Sequence, residues 1–369
     1  MFSVKSIIFC AAAIFSLTLT AAPEGYVAPP IVTPSAKYTP PKLIDNDSWT
    51  MVIVPDTQNY VKNLRTVGIT DLMFSWIAEN VEHLKIQQVL MTGDLVDANR
   101  EESLSKDNNQ SGLKQWENIS TVFKRLDNIV PYILSTGNHD YGIRCSEDRQ
   151  SYFDRFFTAE RNNKLKNVLR ACAPNDFGKL TLENAAYEFV TPYGQKILIV
   201  SLAYSPLDSQ LEWAKKIFDL PQYKEHFGIV LTHSYIHCNY KRKYRSKDPA
   251  ARLNRNGNAG EDIYNKLVRQ TSNIRMVICG HVSKPDDWNI SSAFLTSVNG
   301  AGKKVYEMLF DPQEIGVGGD GWLRLLEFSK DMKTVKVRTF SPLFALSPST
   351  QHLAWHTAPF NDFTIKIED

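Results

Sequence analysis

The stretch "PYILSTGNHDYGIRC", residues 131–145, begins as an apolar run and stops abruptly on Gly137, Asn138, His139 and Asp140. Tyr132, Ile133 and Leu134 read as a short buried strand, and Gly137 as the point where the chain turns in a space that a side chain would obstruct. An amide, an imidazole and a carboxylate follow in succession. Each can hold a metal ion or handle a proton, and loops just past the ends of strands are where α/β proteins gather such groups. An ordinary polar turn would account for this tetrapeptide taken alone, so the flanking sequence has to decide.

Outward from it the chain alternates. "WTMVIVP" at 49–55 reads as a strand, "DLMFSWIAENVEHL" at 71–84 has apolar residues at helical spacing, and "QQVLMTG" at 87–93 is a second strand. "GLKQWENISTVFKRLDN" at 112–128 is a helix leading into the opening strand, which makes a βαβαβ run with parallel pairing. After a polar excursion over 141–184, "AAYEFVTPYGQKILIVSLAY" at 185–204 reads as a hairpin turning on Pro192 to Gly194. The helix "SQLEWAKKIFD", the strand "FGIVLTH", a helix near 261–270 and the strand "IRMVICG" come next. The last third is strand after strand: "AFLTSVNG", "VYEMLFD", "WLRLLEF" and "TVKVRTFSP". Alternation followed by a β-rich end predicts an α/β chain with two sheets packed together and helices outside.

Length and composition are those of a soluble globular protein: 369 residues, 43% hydrophobic and 22% charged. The beginning differs. Lys5, the apolar run Ile7 to Leu19 and the small residues Ala21 and Ala22 have the order of a secretory signal peptide, predicting cleavage near Ala22 and a secreted or periplasmic protein with no membrane span after cleavage. Residues 23–45 carry six prolines by residue 42 and read as an extended linker, leaving 46–369 as the folded domain. Charge is close to balanced and says nothing of partners, and no nucleic-acid-binding module is recognised. Export would leave Cys145, Cys172, Cys238 and Cys279 in an oxidising compartment. A Cys145–Cys172 bridge would staple the polar excursion, while Cys279 lies in an apolar run as a buried thiol.

Five strand ends share a feature. "VIVPDTQ" ends in Asp56 and Gln58, "VLMTGDLVD" in Asp94 and Asp97, "ILSTGNHD" in Asn138 and His139, "IVLTHSY" in His233 and "MVICGH" in His281. Singly, Asp56 could cap a turn, Asp94 a helix, and His233 could be a satisfied core histidine. If neighbouring strands bring the ends onto one sheet edge, two carboxylates, an amide and two imidazoles converge, a mixed set suited to one or two divalent ions such as zinc, iron or manganese rather than calcium.

The order Asp56, "GDLVD", "GNHD", His233 and Gly280–His281 resembles the calcineurin-like metallophosphoesterases, whose pattern runs DxH, GDxxD, GNHD/E, H, GHxH, from about residue 49 to 283. The tail from "GDGWLRLLEF" is similar to the closing strands of secreted bacterial members. The resemblance implies a four-layer α/β/β/α sandwich and one or two divalent cations (Mn, Fe, Zn or Mg). Asp94 would bridge two metals, with Asn138, His233 and His281 completing one site and Asp56 and Gln58 belonging to the other. His139, held by Asp97, would act on the leaving oxygen. The implied activity is hydrolysis of a phosphate mono- or diester by attack of a metal-activated hydroxide. Gln58 and Ser283 stand where the family has histidines, both on the Asp56 side, so that site should prefer a harder ion or bind loosely. The rival reading is a ligand- or metal-binding protein on an eroded site.

Three other signals are weaker. "GVGGDG" at 316–321 fits GxGxxG but precedes a strand instead of opening a helix. His237 follows His233 at helical spacing, without the glutamate of a zinc helix, and reads as a substrate-side or exposed residue. The stretch 240–255 has seven basic residues to one acid, either a solvated loop or a rim drawing anionic substrate toward the strand ends.

Overall fold

The computed structural model describes residues 38–237, 241–242 and 256–368. The predicted signal peptide, most of the linker and most of the basic stretch lie outside the described residues.

Sixteen strands are described: β1 Trp49–Val54, β2 Ile86–Met91, β3 Tyr132–Leu134, β4 Leu169–Pro174, β5 Leu180–Val190, β6 Lys196–Ser201, β7 Phe227–Leu231, β8 Ile236–His237, β9 Lys241–Arg242, β10 Ile274–Cys279, β11 Ser292–Val298, β12 Lys304–Phe310, β13 Leu323–Phe328, β14 Thr334–Phe340, β15 Trp355–His356 and β16 Phe363–Lys366. One seven-stranded sheet has the order β15-β14-β13-β1-β2-β3, with β16 also paired to β14. The other runs β11-β12-β10-β7-β6-β5-β4. In the first, β1, β2 and β3 are parallel and β13 is antiparallel to β1. In the second, β6, β7, β10 and β12 are parallel, and antiparallel strands close both edges.

Side-chain alternation explains the layers. In β6, Ile197 and Ile199 belong to the core shared with the first sheet, whereas Leu198 and Val200 join a second cluster with Leu211, Ala214 and Phe218 of the helix Asp208–Phe218. Because β6 is covered on both faces, Ile197 to Val200 are apolar without a break. On the far side of the first sheet lie the helices Val67–Asn80 and Gly112–Phe123, which bury Met73, Phe74 and Ile77, and Trp116, Ile119 and Phe123. The result is two mixed sheets flanked by helices, as the alternating first half predicts. Arg324 of β13 pins the sheets together: fully buried, it donates to Ser292 Oγ and the Leu309 carbonyl in the other sheet and lies over the Phe310 ring.

Several expectations need correction. The helix placed at 71–84 runs from Val67 to Asn80; Thr66 before it makes no side-chain cap, its hydroxyl donating instead to the Tyr60 carbonyl at 2.6 Å. The polar excursion is structured: it contains the helix Asn163–Val168 and the edge strand β4, whose half-exposed residues disguise it in sequence. No disulfide joins Cys145 to Cys172; the Cys145 sulfur instead accepts a hydrogen bond from Asn138 Nδ2 at 3.2 Å. Cys279 is fully buried, as expected, and burial pushes its thiol up to about 12. Cys238 lies outside the described residues.

Candidate metal centre

The donors do not gather on one sheet edge. They come from both sheets: β1, β2 and β3 deliver Asp56, Asp94 and Asn138 from one, and the parallel neighbours β7 and β10 deliver His233 and His281 from the other. The carboxyl ends of the two parallel sets face a common space, as open α/β sheets do at ligand sites.

Around His233 Nε2 lie His281 Nδ1 at 2.9 Å, Asn138 Oδ1 at 3.0 Å and Asp94 Oδ2 at 3.3 Å. One N–H can serve only one of these; a cation could be shared by all four donors. His233 Nδ1–H donates to the Thr92 carbonyl at 2.9 Å, the outer hydrogen bond that leaves Nε2 as the ligating atom. Asp94, His233 and His281 offer ligand atoms within 4.8 Å of one another. Asp94 and His281 both have left-handed backbone, φ +46° and +74°, a conformation that Asp and His tolerate better than most residues and that turns each side chain back into the site.

Glycines make the close approach possible. Gly137 has ordinary extended backbone, φ −102°, so the turn itself does not require it. What requires it is space: a Cβ there would stand 2.1 Å from Asp94 Oδ1. A Cβ on Gly280 would stand 2.3 Å from Asp56 Oδ1. Asp140, assigned no role in sequence, latches the loop: its carboxylate accepts from Gly137 N–H at 2.7 Å and Val96 N–H at 3.2 Å.

Asp56 accepts from Thr92 Oγ1–H at 2.7 Å and from His281 N–H at 2.9 Å. Its neighbour Gln58 donates through Nε2 to Gln313, and Gln58 Oε1 is buried with no partner among the described residues. The sequence reading missed Asp311 altogether. This fully buried residue follows β12, and its carboxyl group shares a hydrogen bond with that of Asp56. The missed signal is the one used five times elsewhere, a polar residue ending a buried strand: "VYEMLFD" ends on it. Ser283, in the place of the family's histidine, meets Ser291 Oγ at 3.1 Å and accepts from Glu314 N–H at 3.2 Å, tethering the loop after Asp311.

These carboxylates are crowded and dry. Burial, then the charge of Asp311, pushes Asp56 well above the usual carboxylate range, and burial with the charge of Asp94 pushes Asp311 up to about 7. Burial acts on Asp94 too, but the charges of His233 and His139 and their hydrogen bonds hold it below its ordinary value. Burial disfavours a charged His233, yet Asp94 and Asp56 outweigh it and raise the imidazole to about 9. Excess buried negative charge, converging lone pairs and an orphaned amide oxygen all fit divalent cations.

His139 stands beside this group without joining it. Its backbone N–H donates to Asp94 Oδ1 at 2.8 Å, and its ring Nδ1–H donates to the backbone carbonyl of Asp97 at 2.6 Å. Asp97 thus touches His139 through its main chain, while its carboxylate faces Lys62 at 3.6 Å. A carbonyl only accepts, so the proton of neutral His139 is on Nδ1 and Nε2 is left for a substrate. The ring lines a cleft of about 300 Å³ with Asp97, Glu101, Asn108 and Arg144. A larger hollow of about 610 Å³ near Lys85, Arg170 and Glu188 holds none of the donors.

The weaker signals resolve plainly. The loop 316–321 wraps Tyr60, whose hydroxyl accepts from Gly321 N–H at 2.8 Å, and opens no helix. His237 sits half-buried in the β8–β9 hairpin, outside the donor group. Of the basic stretch, Lys241 is exposed, but Arg242 is clamped to fully buried Glu307 at 2.8 Å and stacked on Tyr264 at 3.5 Å, so it is an anchor and not a steering charge.

The chain is 26% identical over 304 residues to YvnB of Bacillus subtilis (strain 168), itself an uncharacterised protein; the match covers 80% of this chain, which spans about a fifth of that relative's length (20%). Among solved structures it is similar to a dimetal phosphatase from Danio rerio (14% identity, TM-score 0.47, covering 87% of this chain and 99% of the other). A second is GAP50, the anchor in the inner membrane complex of Plasmodium (10% identity, TM-score 0.42, 87% and 90% covered). The profile of the calcineurin-like phosphoesterases matches residues 52–285, well over half of the chain, and by that match the chain belongs to the calcineurin-like phosphoesterase family.

Proposed function

We propose that this protein is an exported, metal-dependent hydrolase of phosphate mono- or diesters in which His139 serves the leaving group. The observation that carries the reading is the pairing of a four-donor cluster around His233 Nε2 with an imidazole that is oriented but not consumed by it. Bound divalent cations would supply charge neutralisation and a nucleophile near neutral pH. Asp94, Asn138, His233 and His281 would hold one cation, and Asp56 and Gln58 would belong to the other site. With Nδ1–H fixed on the Asp97 carbonyl, the His139 ring presents Nε2 to the departing oxygen, and its imidazolium form, with a proton on both nitrogens, would donate the Nε2 proton to that oxygen. The cleft beside it admits the ester's remaining group, with exposed Arg144, paired to Glu101 at 2.5 Å, at its rim.

Elemental analysis and phosphatase assay of one purified sample test the reading. Bound metal with turnover supports it; bound metal without turnover of any mono- or diester supports the binding-protein alternative. Export rests on the sequence of residues 1–22, and a mature amino terminus near residue 23 on protein recovered outside the cytoplasm is the expected result. Among the described residues no helix is long and apolar enough to cross a membrane.

A further inference from the structure

Asp311 is the sixth member of a symmetric arrangement. Strands β1, β2 and β3 are parallel neighbours in one sheet, and β7, β10 and β12 are parallel neighbours in the other. Each ends within a few residues of a polar side chain facing the shared space: Asp56, Asp94 and Asn138 on one side, His233, His281 and Asp311 on the other. Asp56 is fully buried, as is Asp311, and Asp94 is 1% exposed. Among the described residues no lysine or arginine forms an ion pair with any of the three; Asp56 and Asp94 have His233 within 3.8 Å and 3.3 Å. Buried carboxylates in such a group require a compensating positive charge.

A second observation points to what supplies it. Gln58 is 7% exposed, its Nε2 is fixed on Gln313, and Gln313 in turn donates from Nε2 to Asp311 Oδ2 at 3.0 Å and from its backbone N–H to Asp311 Oδ1 at 3.2 Å. The Gln58 head group is therefore one side chain away from Asp311, and its Oε1 is without a partner among the described residues. Each Asp311 oxygen accepts one hydrogen bond from Gln313, and the carboxyl group also meets that of Asp56, an acidic pair that a cation between them would bridge in place of the shared proton. Ser283 hydrogen-bonds the loop that bears Asp311 through Glu314 N–H. The residue that lacks an imidazole thus helps hold the loop that brings a carboxylate.

We propose that Asp311 is a ligand of the second cation site, with Asp56, Gln58 Oε1 and Asp94, so that this site is complete, all-oxygen and selective for a hard cation such as Mn²⁺ or Mg²⁺ over Zn²⁺. The inference rests on the metal-hydrolase reading above. It replaces the loosely held second metal that the two missing histidines imply with a site of different hardness.

The test is Mn²⁺ binding to chelator-stripped full chain, followed by the free-ion electron paramagnetic resonance signal and by calorimetry. The parent should bind two equivalents, and Zn²⁺ should compete well for only one of them. Asp311→Asn, which keeps shape and removes charge, should retain the first equivalent and weaken the second by at least the 10–100-fold that loss of a mere outer-shell partner costs. Gln58→Met should weaken the same equivalent, which keeps the proposal testable if Asp311→Asn does not fold. Parent-like binding of both equivalents in the two variants overturns the assignment and leaves the hydrolase reading standing, as does a parent that saturates at one. A parent that binds no metal overturns both.

Discussion

His139→Ala is the sharpest probe of the site because the structure separates what the residue's backbone does from what its ring does. The backbone N–H, which alanine keeps, donates to Asp94 Oδ1 and steadies a ligand. The ring, which alanine loses, is tied to the Asp97 carbonyl and lines the cleft. Metal content and fold should therefore be unchanged. Loss of a positioned proton donor should lower kcat by roughly 10²- to 10⁴-fold, which at about 1.4 kcal/mol per decade is about 3–5 kcal/mol of transition-state stabilisation. Steady-state kinetics on an alkyl ester and on its nitrophenyl counterpart is the assay. The defect should be largest for the alkoxide and shrink for nitrophenolate, whose departure needs little protonation. Asn138→Ala gives the contrast: its Oδ1 faces His233 Nε2 at 3.0 Å, so the variant should lose metal. The reasoning is refuted if His139→Ala strips the metal, or if it hydrolyses both esters at the parent's rate.

Gly137→Ala should abolish metal retention in elemental analysis, since its Cβ would displace Asp94, whereas Gly68→Ala, with nothing within 4 Å of the added atom, should retain metal and melt at or slightly above the parent temperature. Arg242→Ala should cost about 3–5 kcal/mol in denaturant unfolding by leaving Glu307 buried without its partner, and Arg242→Lys should recover only part of this because it cannot reproduce the bidentate pair. Burial, then the charge of Arg324, lowers His356 to about 4. With its folded value below the usual imidazole value of about 6.5, the unfolded chain binds the proton first, so this contribution to stability is full above about pH 6.5 and is lost as pH falls toward 4. His356→Phe, placed among Trp288, Trp322 and Phe360, should flatten the acid fall in melting temperature over that window; an unchanged slope would contradict the assignment.

What the sequence determined by itself was local. Apolar runs ending on a polar residue marked β1, β2, β3, β7 and β10, with Gly93, Gly137 and Gly280 at the turns after β2, β3 and β10, because a strand covered on both faces is apolar through its buried part and the turn beyond it is where polar groups can stand. The spacing of Trp116, Ile119 and Phe123 marked a helix for the same reason, one residue's periodicity being visible within a dozen positions. Tertiary structure decided everything that depends on which strands are neighbours. Only the parallel pairing of β12 with β10 carries Asp311 to Asp56, from 255 positions away, and only the Ser283 hydroxyl's hold on Glu314 connects a missing histidine to that carboxylate. Only the folded backbone shows that His139 is oriented by the Asp97 carbonyl rather than by its carboxylate, and that Gly137 is needed for clearance, since neither main-chain acceptors nor the approach of another loop leaves any trace in residue type.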